Sequence, residues 1–234
     1  MEKSASLCSD TEYTLKRLVR GLGSSRESAR QGFAACLADL LKTIAKIDLQ
    51  YVLVILDEHT KVTGSMKGQE ERDMLFGQLF GYLAVLRSNR VNDTKIVSDL
   101  IERLLLLHSK KGWIKEVTTE AILILVSTID STHVKNIIIP KLKDLLSPAL
   151  GDMAAWQLML AIGLRNYGAL YPQLIKDIVT ILPEPQIVSP ETIEIMAPTL
   201  AAATAGFPKL HRVWPYIMSA IFQMDSERRL PVHR

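Results

Sequence analysis

YTLKRLVRGLGSSRESAR, residues 13–30, carries two amphipathic helical patterns on either side of a Gly-Leu-Gly-Ser-Ser corner. Leu15, Leu18, Val19 and Leu22 fall at i, i+3, i+4 and i+7, which gives the first helix one apolar stripe and leaves Lys16, Arg17 and Arg20 on its other side. Gly21 and Gly23 predict its end, in the manner of glycine helix caps. Ser24 followed by Glu27 predicts a capping box opening a second helix, the hydroxyl accepting from an orphan amide while the glutamate reaches back. The stripe Ala29, Phe33, Cys36, Leu37, Leu40, Leu41 and Ile44 carries that helix on for about five turns.

The same period continues outward. Asp48 predicts the cap of an apolar helix ending near His59. After a loop with Gly64 and Gly68, Leu75, Phe76, Leu79, Phe80 and Leu83 mark another helix, with Glu70, Glu71 and Asp73 in its favourable first turn. Ile96, Val97, Leu100, Ile101, Leu104 and Leu105 mark the next, and residues 113–129 one buried on more than one face. In the second half, Ile139-Pro140-Lys141-Leu142, Tyr171-Pro172-Gln173-Leu174 and Trp214-Pro215-Tyr216-Ile217 each set a proline ahead of a helical stripe, at intervals of 32 and 43 residues. Pro183, Pro185 and Pro190 read as one connection between helices. About ten helices in irregular units of this size predict an all-α chain, an α-solenoid of HEAT/armadillo-like helix pairs. Residues 11–224 are expected to form one array, between a flexible N-terminus (1–10) and a frayed basic tail (225–234).

Composition agrees. Of 234 residues 48% are hydrophobic and only 6% aromatic, so the apolar content lies in Leu, Ile, Val and Ala, as stacked helices require. The formal charge of +3 is small, yet residues 11–30 set five cations against Glu12 and Glu27, and residues 207–234 set five against Asp225 and Glu227. Cys8 and Cys36 are too few for a disulfide framework, so reduced thiols in an intracellular protein are expected. No apolar run approaches the roughly 20 residues of a membrane span, and the first ten residues have no signal-peptide core.

The chain carries no recognised catalytic signature. His59, His108, His133, His211 and His233 do not pair at i, i+4 or with a nearby cysteine, so no metal site is expected. Asp57-Glu58 and Glu70-Glu71 are sequence neighbours that point to different sides of a helix. The glycines at 21–23 and 64–68 match no phosphate loop. No cofactor and no small-molecule substrate is expected. Arg26 and Arg30 lie at a helix N-terminal turn, where cations are unfavourable, and two readings stand: pairing with Glu27, Asp10 or Asp73, or contact with an anion such as a phosphate backbone. Gly77 and Gly81, one turn apart inside a helix, predict a close helix crossing. Trp113, Trp156 and Trp214 read as core anchors.

YTLKRLVRGLGSSRESARQGFA (13–34) and KVTGSMKGQEERDMLFGQLFGYLAVLRSNR (61–90) resemble the N-terminal region of the Myb-binding protein 1A and DNA polymerase phi family. The resemblance is dense over about residues 13–113 and diffuse as far as HRVWPYIMSAIF (211–222). It implies a nuclear, nucleolar protein built as an armadillo-like array, associated with ribosomal DNA and supporting ribosomal RNA synthesis or processing. Its implied partners are nucleolar or transcription-related proteins, and ribosomal DNA or precursor ribosomal RNA through phosphate contacts. Family members are much longer, with an acidic stretch and a basic tail absent here, so a short or partial form is expected. A polymerase palm requires strands presenting metal-binding carboxylates, and no such strands are predicted, so no enzymatic role is carried over. The motif cations Arg17, Arg20, Arg26, Arg30, Lys67 and Arg72, with Lys16, are the candidate nucleic-acid contacts. The competing reading is a HEAT-type protein adaptor without nucleic-acid contact.

Overall fold

The molecule, seen in a computed structural model, is described over residues 7–66, 68–182, 189–205 and 212–229, and every regular element among them is helical. The all-α expectation therefore holds. The chain divides into two compact units, residues 1–107 and 108–234.

In the first unit, α1 (Ser9–Gly21), α2 (Glu27–Thr43), α3 (Leu49–His59), α4 (Gln69–Arg87) and α5 (Thr94–Lys110, whose last residues enter the second unit) follow the stripes in the sequence. α1 packs on α2 and α3, and α4 on both of the latter. Leu15, Val19, Leu22, Leu37, Leu41, Leu53 and Leu56 are wholly buried between them, each contributing about 1.5–3 kcal/mol of transfer free energy. Asp48 caps α3 as expected, its carboxylate accepting from the Gln50 amide at 3.0 Å.

The corner between α1 and α2 departs from expectation. α2 begins at Glu27 with Arg26 at its N-cap and no side-chain cap, so the Ser24–Glu27 capping box does not form. The Ser24 hydroxyl instead accepts from the Arg26 amide at 3.3 Å, and the Ser24 carbonyl accepts from the Arg30 guanidinium at 2.6 Å. Nor do Gly21 and Gly23 take left-handed caps; among described glycines only Gly68 has a positive φ, 55°. They are there for space: a Cβ at Gly21 would strike the Phe33 ring, and one at Gly23 would come within 2.8 Å of the Met74 methyl.

The same close approach explains α4. A Cβ on Gly77 would lie 2.9 Å from the Leu22 carbonyl oxygen, and one on Gly81 would collide with Leu56. The two motif segments thus meet, the glycine corner of the first resting on the glycine face of the second. C-terminal to α4, Arg90 turns back and donates to the carbonyls of Leu41 (2.9 Å), Ala45 (2.8 Å) and Ile47 (2.8 Å). This fork satisfies carbonyls left open where α2 ends.

The second unit is built around α9 (Ala155–Leu170), which in the chain follows α6 (Lys115–Thr128) and the short turns α7 (Ser131–His133) and α8 (Ile139–Leu142) and precedes α10 (Ile175–Val179), α11 (Pro190–Ala205) and α12 (Val213–Arg229). Leu158, Met159, Leu160, Ala161, Ile162 and Leu164 are all buried, so α9 is covered on every side, by α6, α10, α11 and α12. Between α7 and α8 the winding widens to a π turn over Val134–Ile138. Pro140, which has no N–H to return to the preceding turn, sits just after it. Pro172 and Pro215 also stand within the first residues of helical segments, as the repeat predicts. Pro190 opens α11, whereas Pro183 and Pro185 of the expected connection lie outside the described residues. α12 continues to Arg229, and residues 230–234 of the expected tail lie outside the described residues. Trp113, expected as a core anchor, is 46% exposed.

Candidate nucleic-acid interface

α1 lays out its cations by helical phase. Leu15 and Val19 are buried, and the opposite side exposes Asp10, Tyr13, Thr14, Arg17 and Arg20. Lys16 lies between the two faces, 2.7 Å from Glu12, which also accepts from the Tyr51 hydroxyl at 3.2 Å. The hydrogen bond to Lys16, and then that from Tyr51, hold the Glu12 carboxyl below its ordinary range, while the Glu12 partner holds the Lys16 ammonium above its own. Lys16 is paired with Glu12 at the surface; Arg17 and Arg20 are the exposed cations of this face. Arg26, at the N-cap of α2, is exposed as well.

Arg30 is placed differently. It is 6% exposed and enters between α2 and α4, where one guanidinium nitrogen donates to Asp73 at 2.8 Å. Asp73 also accepts from the Gln69 amide at 2.9 Å. Pairing with Asp73, one of the three carboxylates named from sequence, is therefore what the fold builds. The guanidinium also stands 5.7 Å from the Phe76 ring centre, with Arg72 of the first turn of α4 at 5.6 Å from the same ring. Arg72 is exposed at the surface end of this cluster, whereas Lys67 lies outside the described residues. The fold thus brings Arg30 and Arg72 together around Phe76 and sets Arg17 and Arg20 on the exposed face of α1, with Lys16 at its edge.

Three polar arrangements had no local signal. Arg103 donates to Asp57 at 2.8 Å and Tyr82 to the other oxygen of the same carboxylate at 3.0 Å, tying α3, α4 and α5 together. Burial, then the Asp57 charge, pushes the Tyr82 phenol well above its ordinary value. In the second unit, His108 meets the Thr118 hydroxyl at 2.9 Å and packs edge-on against Trp156, with ring centres 4.4 Å apart. Between α6, α9 and α12 an open apolar groove of about 310 Å³ holds Glu120, Ser127 and Tyr216 at its edges; Glu120 is engaged by Arg212. Among the described residues no three His, Cys, Asp or Glu side chains converge as a metal site would require, and no helix is long and apolar enough to cross a membrane.

The fold and this surface define a class: an all-helical protein with an exposed row of arginines beside a buried ion pair that fixes their corner. Residues 13–231 match the family model described as DNA polymerase phi, and the chain belongs to that family. It is 41% identical over 115 residues to the rDNA transcriptional regulator pol5 of Schizosaccharomyces pombe, an alignment covering 46% of this chain and 12% of that protein. It is 26% identical over 178 residues to a Myb-binding protein 1A-like protein of Danio rerio, covering 75% and 14% respectively. Against Myb-binding protein 1A of Mus musculus it is 30% identical over 136 residues, covering 58% and 10%. The alignments thus span well under a fifth of the relatives' lengths. These relatives are named as regulators or binding proteins, although the family's name is that of a polymerase. No solved structure matches the chain.

Proposed function

We propose that this chain is a nuclear, nucleolar helical scaffold that works in ribosomal RNA transcription or processing. It is read as a HEAT- or armadillo-like array that binds protein partners and, through arginine–phosphate contacts, ribosomal DNA or precursor RNA. It is not proposed as an enzyme. The observation that carries this reading is family membership beside relatives named for regulation of ribosomal DNA, with a row of exposed arginines inside the matched segment. Arg17, Arg20, Arg26 and Arg72 are the contacts proposed, with Lys16 moderated by Glu12 and Arg30 holding the corner in shape. Phosphate contacts of this kind are sequence-tolerant and weaken steeply with salt.

The test is to express the tagged chain in cells, locate it, and crosslink and recover its nucleic acid from the same sample. Nucleolar enrichment with ribosomal DNA or precursor RNA recovered is the expected result. A diffuse signal with no crosslinked nucleic acid would overturn it in favour of a protein adaptor without nucleic-acid contact.

A further inference from the structure

We infer that α1 is a stacking platform for single-stranded RNA, in which Tyr13 takes an unpaired base and Arg17 and Arg20 hold the neighbouring phosphates. This inference rests on the nucleic-acid reading above and narrows it to unpaired strand. Its starting point is an anomaly of burial. Tyr13 is 70% exposed, while Phe33, Tyr51, Phe76, Phe80 and Tyr82 of the same unit are half-buried or buried. An aromatic ring left in water on the outer face of a helix adds nothing to a core.

Its position on α1 gives it company. Arg17 and Arg20 follow at i+4 and i+7, within about 60° of arc and about 6 and 10.5 Å along the axis. The three side chains therefore share one face, opposite Leu15, Val19 and Leu22, which are wholly buried. Two cations spaced along a strand with an aromatic face beside them is the arrangement by which single strands are held: phosphates take the charge and a base takes the ring.

The face argues against other occupants. Its exposed residues Asp10, Tyr13, Thr14, Arg17 and Arg20 include no aliphatic side chain, so it lacks the apolar centre of a protein interface. The bases of a duplex are already stacked on each other and offer an outward tyrosine no free face, whereas unpaired RNA bases are splayed and available. Of the acids on α1, Glu12 is taken up by Lys16 and Tyr51, and Asp10 lies one turn before Tyr13, seven residues from Arg17 and ten from Arg20.

The experiment uses the whole 234-residue chain. Fluorescence anisotropy would follow binding of labelled oligouridylate of about 20 nucleotides, longer than one stacking site, and of duplex DNA of equal length, over a series of salt concentrations. The single strand is expected to bind more tightly. Tyr13→Ala should weaken single-strand binding about five- to a hundredfold and leave duplex binding unchanged, Tyr13→Phe should behave as wild type, and circular dichroism should show all of them folded. Arg17→Gln with Arg20→Gln should weaken both probes and reduce the single-strand salt slope by about 0.7 per arginine. If Tyr13→Ala binds oligouridylate like wild type while the arginine pair still matters, stacking is refuted and the phosphate-contact reading survives. If the wild-type chain binds neither probe at low salt, both readings fail.

Discussion

Arg30 shows how far one residue's environment changes its meaning. By composition it is one of five cations in residues 11–30; by position it is 94% removed from solvent and bonded to Asp73 and the Ser24 carbonyl. Removing one partner of such a pair leaves an uncompensated buried charge, so Asp73→Ala should lower unfolding stability in urea by about 3–5 kcal/mol. The double variant Arg30→Met with Asp73→Leu should recover most of that loss, because apolar side chains of similar size avoid the desolvation cost. His108 gives a second test at the same scale. The Thr118 hydroxyl already donates to the Ile114 carbonyl, so Nδ1 of His108 carries its proton toward Thr118, and Nε2 is a buried acceptor without a partner among the described residues. Burial first, then the positive charge of Lys115, pushes this histidine down from 6.5 to about 4. A depressed pKa means the unfolded chain takes up the proton first, so the stabilising contribution is whole above about pH 6.5 and is lost as pH falls toward 4. Urea melts between pH 7.5 and 4.5 should show a decline that is shallower in His108→Gln; equal slopes in both proteins would remove His108 as the cause.

At the scale of elements, glycine separates two kinds of helix position that propensity alone treats alike. Gly32 on α2 is exposed and a Cβ there meets nothing within 4 Å, so Gly32→Ala should raise stability by about 0.5–1 kcal/mol. Gly77 on α4 faces the Leu22 carbonyl at 2.9 Å from a would-be Cβ, and a backbone atom cannot swing aside, so Gly77→Ala should cost about 1–3 kcal/mol despite the same gain in propensity. Thermal melts of the two variants should move in opposite directions. The helices themselves were legible because each needs only its own 3.6-residue stripe, and Asp48 was legible as a cap because its acceptor serves an amide two residues on. The end of α2 was not. Arg90 caps it from more than 40 residues away, and nothing around Arg90 in sequence marks it as a cap. Arg90→Ala should therefore unfold the protein more easily by about 1.5–3 kcal/mol, as hydrogen bonds from a charged group are lost, with Arg90→Lys only partly restoring it. The Ser24–Glu27 pattern failed beside a related contact: Arg30, held by Asp73 from 43 residues away, also takes the Ser24 carbonyl, and α2 begins at Glu27 with Arg26 rather than Ser24 at its N-cap.

For the whole molecule, a net charge of +3 spread over 234 residues is too small to attract a polyanion by itself, so the proposed phosphate contact rests on how the charge is arranged. The concentration of cations in residues 11–30 could be read from sequence, but which of them face solvent could not, because that depends on Asp73, 43 residues from Arg30, and on Glu12 beneath Lys16. Folding sorts the row into a structural cation, one paired with Glu12 at the surface and an exposed remainder of Arg17, Arg20 and Arg26. That division predicts a result that charge counting does not. Replacing Arg17, Arg20 and Arg26 together with glutamine should cut the slope of log affinity for RNA or DNA against log salt by about 2–3, at 0.7–0.9 per phosphate contact, with the melting temperature nearly unchanged. Arg30→Gln should do the reverse: it should lower the melting temperature and, at temperatures where the variant remains folded, leave the slope close to wild type, because its charge is spent on Asp73. Anisotropy titrations from 50 to 200 mM salt, paired with melts of each variant, separate the two effects. A slope that falls as much for Arg30→Gln as for one of the exposed arginines would mean that the ion pair opens to meet phosphate, and the buried pair would then belong to the interface.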